Sequence, residues 1–95
     1  MERFKKEVDE FKDEAVYQYA DRFINLANEL AQSDNSGAVG VGFRFAAARY
    51  CAYEASILTD NLAAERSKHL QMFLDAFKEM LDMNFDDYIK IQMQK

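Results

Sequence analysis

Residues 62–91 read LAAERSKHLQMFLDAFKEMLDMNFDDYIKI. At 100° per residue, Leu62, Leu70, Phe73, Leu74, Phe77, Met80, Leu81, Phe85, Tyr88 and Ile91 stay in phase on one stripe, the signature of an amphipathic helix. No glycine or proline interrupts them. An unbroken helix of this length would be about 45 Å long at 1.5 Å per residue. That overhangs any short helix beside it. The overhang has two readings. Either the far end packs on residues 1–12 or on a second copy, or the helix breaks at Asn84. A break would let Asn84 cap a short fourth helix with Asp86 and Asp87 in its first turn, where acidic groups favour the dipole.

Upstream, Thr59-Asp60-Asn61 supplies caps for this helix. Before them lies a second helical stretch, from about 38 to 58, charged only at Arg44, Arg49 and Glu54. One face carries Val39, Phe43, Ala46, Tyr50, Tyr53 and Ile57; the opposite face carries Val41, Phe45, Ala48, Ala52 and Ala55. A helix apolar on two faces is expected to be buried on two, so this one reads as central. Its small residues, Gly40 and Gly42 among them, would let a neighbour approach closely. The run Ser33-Asp34-Asn35-Ser36-Gly37 is the clearest loop, with Ser36 or Asn35 the expected cap. Ahead of it, Val16, Tyr19, Ala20, Phe23, Leu26, Ala27 and Leu30 form one stripe of a first helix ending near Gln32.

The front of the chain is out of phase with that helix. Phe4, Val8 and Phe11 form a stripe about 90° away on the same wheel. A straight helix could not bury both stripes on one surface. Either the chain bends near Lys12–Ala15, or the first turns pack on something else, a second subunit being one option; the plainer reading is a charged extension over residues 1–15.

The 95 residues contain no proline, three glycines, one cysteine and one histidine. Glycines only at 37, 40 and 42 leave the rest without turn chemistry, which argues against sandwiches, barrels and phosphate-binding α/β units. One cysteine excludes a disulfide scaffold. The fold expected is a single all-α domain over residues 1–95: an antiparallel bundle of three main helices. Net charge is −5, and the longest basic run, Lys5-Lys6, is flanked by Glu2 and Glu7. That argues against nucleic acid and against a membrane surface. The stretch 38–58 is broken by charges and does not reach a membrane span. Met1 to Phe11 lacks the apolar core of a signal peptide. A cytoplasmic protein is the expectation.

Three segments carry a resemblance. They are Phe23-Ile24-Asn25-Leu26-Ala27-Asn28-Glu29-Leu30, then Phe45-Ala46-Ala47-Ala48-Arg49-Tyr50-Cys51-Ala52-Tyr53, then Asn84-Phe85-Asp86-Asp87-Tyr88-Ile89. In this order and spacing, over about Tyr17 to Ile89, the chain resembles a family of small proteobacterial proteins, domain of unknown function 3144. The resemblance implies a compact helical domain in a bacterium. It implies no reaction, ligand or catalytic residue.

Several polar residues sit where the pattern asks for apolar ones. Arg49, in a run of alanines, reads as a structural ion pair with Glu29, Asp21 or Asp87, or as a fork for a carboxylate or phosphate. Glu54 lies in the aromatic face one turn after Tyr50, and Arg66 lies in the stripe of the third helix. They are expected to pair with each other or with Tyr hydroxyls across the interface of the second and third helices, or, with Tyr50 and Arg49, to line a small-ligand pocket. His69 reads as half-buried or exposed rather than as a metal ligand, since no second histidine or nearby cysteine accompanies it. Cys51 reads as an inert buried thiol. Glu79, Asp82, Asp86 and Asp87 lack the spacing of a calcium loop and read as a solvated face. No cofactor, metal or catalytic residue is expected. Met72 and Met83 fall off the third stripe and mark a candidate partner surface. The leading expectation is a non-enzymatic module that self-associates or docks a protein partner, with Phe4, Val8, Phe11 and Met83 as interface candidates. The alternative is a ligand-binding protein or enzyme with a pocket around Arg49, Tyr50, Glu54 and Arg66.

Overall fold

The computed structural model describes residues 13–94. It holds three helices: α1 (Glu14–Ala31), α2 (Ala38–Leu58) and α3 (Leu62–Met93). Phe4, Val8 and Phe11 lie outside the described residues.

Each helix starts where side-chain chemistry can satisfy its free N–H groups. The Asp13 carboxylate accepts from the Ala15 amide at 2.9 Å, and Glu14 adds an acidic group to the first turn of α1. Between α1 and α2, the Asp34 carboxylate accepts from the Ser36 amide at 2.9 Å, and the Ser36 hydroxyl accepts from the Ala38 amide at 3.2 Å. The cap position itself is taken by Gly37 at φ 91°, not by Ser36 or Asn35. A left-handed backbone there favours the one residue without a Cβ, and Ser36 acts from one step back. For α3, the Asn61 side chain caps by accepting from the Ala64 amide at 3.3 Å. The Thr59 hydroxyl accepts from the Asn61 amide at 3.1 Å and donates to Glu65 at 2.5 Å, tying the loop to the first turn.

The third helix does not break. α3 runs 32 residues, about 48 Å at 1.5 Å per residue, and so there is no separate fourth helix among the described residues. Asn84 turns its carboxamide onto its own helix, its Nδ2 donating to the Met80 carbonyl at 2.8 Å. That bond lets a residue with cap chemistry sit inside a helix. The longest dimension of the molecule, 48 Å, matches the length of this helix.

α2 packs against both α1 and α3, and the short connections at 32–37 and 59–61 make consecutive helices antiparallel. It is central, as its composition predicts, but it is not buried on two faces. Among the described residues, the only buried ones are Ala55 on α2, at 3% exposure, and Ala76 and His69 on α3, at 1% and 8%. The helices meet through alanines and half-buried residues, and most of the larger apolar side chains are exposed. Gly40 and Gly42 do not mark a close approach: a Cβ at 40 would meet only the Arg44 side chain at 3.5 Å, and one at 42 nothing within 4 Å.

The packing side of α3 is therefore not the expected stripe. Leu62, Glu65, His69, Met72, Phe73, Ala76, Met80 and Met83 are the buried and half-buried residues of this helix. They share one arc about 100° wide on the helical wheel. Met72 and Met83 face inward, while Leu70, Leu74, Phe77, Leu81, Phe85, Tyr88 and Ile91 are exposed. His69, expected to be half-buried or exposed, is buried. Cys51 is half-buried.

Candidate interaction surface

The outward apolar residues form ordered rows. On α3, Leu70, Leu74, Phe77, Leu81, Tyr88 and Ile91 are all exposed, Tyr88 at 66% and Leu81 at 40%. With Asn84 they step along the chain by 4, 3, 4, 3, 4 and 3, a mean of 3.5. That is the period of a seam that packs knobs into holes of another helix. α1 presents Val16, Tyr19, Phe23, Leu26 and Leu30, stepping 3, 4, 3 and 4. α2 presents Phe43, Tyr50, Tyr53 and Ile57 at the same period, all exposed. The Tyr50 and Tyr53 rings touch at 5.8 Å between centroids, tilted by 50°.

These rows make up much of the exposed apolar surface among the described residues. Large exposed apolar patches on soluble proteins are commonly binding surfaces. From Asn84 to Gln94 every residue is exposed, so no part of the described chain covers the last three turns of α3.

The four candidate pocket residues do not converge. Arg49 and Tyr50 line an open depression of about 750 Å³ on α2, together with Ala46, Ala52, Tyr53 and Ser56. Glu54 is half-buried and Arg66 is exposed on α3; neither lines that depression. No hydrogen bond or ion pair joins the four among the described residues, and Arg49 makes none with Glu29, Asp21 or Asp87.

A second polar feature lies between α2 and α3. Neither ring nitrogen of the buried His69 has a hydrogen-bond partner. The nearest acid, Glu65, stands one turn earlier, its Oε1 3.9 Å from Nε2. That is beyond a hydrogen bond. Glu65 is instead held by Thr59 and lies 3.9 Å from the Lys68 ammonium. The four-residue spacing of Glu65 and His69 was the sequence signal for this pair. Their burial was not legible, because the stripe beside them is the more hydrophobic. No group of three or more His, Cys, Asp or Glu is disposed to hold a metal ion among the described residues.

No described helix is long and apolar enough to cross a membrane. No curated protein and no solved structure matches the chain. One family profile does, over residues 16–89, and it spans α1 but for its first two residues, all of α2, and α3 as far as Ile89. The chain accordingly belongs to the family described as Protein of unknown function (DUF3144).

Proposed function

We propose that this protein is a non-enzymatic, self-associating helical module whose second copy covers the outward apolar rows. The observation that carries the reading is the α3 row from Leu70 to Ile91, exposed along its length at a 3.5-residue period. Such a row needs a helix of matching period opposite it. A second copy of α3 supplies one by construction.

Thermal unfolding followed by circular dichroism over a hundredfold range of concentration tests this reading. A midpoint that climbs with concentration is the expected result, because mass action stabilises an associated state. A midpoint independent of concentration would overturn it.

One observation favours a small-ligand site, namely that Arg49 and Tyr50 share a depression. That depression lies on the face that carries Tyr53 of the α2 row. Under self-association it becomes part of the covered surface, where Tyr and Arg are favoured anchors.

A further inference from the structure

We draw no further inference here: the strongest candidate, the outward apolar face of α3 from Leu70 to Ile91 with Asn84 set into it, carries nothing further because nothing in the structure shows what covers it.

Discussion

His69 is the residue whose energetics are least balanced. It is buried, both ring nitrogens lack partners, and Glu65 stops 3.9 Å short. Leaving a buried polar group unpaired costs about 1–3 kcal/mol, whereas an apolar group of similar shape there is neutral or better. His69→Leu is therefore expected to raise unfolding stability by about 1 kcal/mol or more. Denaturant titration checks it, and a loss of stability would mean that the ring has a partner in the assembled protein. Asp34 gives a pH signature. Hydrogen bonds from Ser36, side chain first and then backbone, hold its carboxyl below the usual carboxylate range. A depressed carboxylate adds stability that is present above its unfolded value and lost as pH falls through the folded one. Asp34→Asn should therefore flatten a small acid-side loss of helicity, read by circular dichroism below about pH 4. An identical acid limb in wild type and variant would contradict the assignment.

At the scale of the helices, glycine position separates two effects of one substitution. Gly37 holds a positive φ at the start of α2. Gly37→Ala should destabilise by about 1 kcal/mol, since a Cβ is strained there whatever the space around it. Gly40 is helical, and a Cβ would meet only a flexible arginine at 3.5 Å. Gly40→Ala should stabilise by about 0.5–1 kcal/mol. Chemical denaturation of the two variants checks both signs. The limits of α2 and the start of α3 could be read directly from Gly37, Thr59 and Asn61, because caps and turn residues act locally. The fate of Asn84 could not: whether it caps a new helix or bonds to Met80 depends on the neighbours its segment meets in space. Nor was the facing of α3 legible. Two arcs of that helix are apolar enough to pack, and periodicity ranks hydrophobicity without saying which neighbour each arc meets. The alanine and methionine arc took the intrachain contact, where helices approach closely. The leucine and aromatic arc was left outward.

For the whole molecule, the balance between buried and exposed apolar side chains is the governing fact. Ala55 and Ala76 are its only buried apolar residues among those described. Against them stand full rows of exposed Leu, Phe, Tyr and Ile. Burying each such side chain is worth about 1.5–3 kcal/mol, so one row outweighs the intrachain core. Under the proposed self-association, fold and association would be one process, as in obligate homodimers that have no stable monomer. Leu74→Asp with Leu81→Asp should accordingly abolish association and melt much of the helix signal together. A variant that stays fully helical while its mass halves would separate the two events and contradict that coupling. The measurement that bears most directly on self-association is the molar mass of the purified full chain by light scattering behind a sizing column. The expected mass is at least twice the 11.1 kDa of one chain down to low micromolar loading. A folded, helical 11.1 kDa species that persists at millimolar concentration would contradict it.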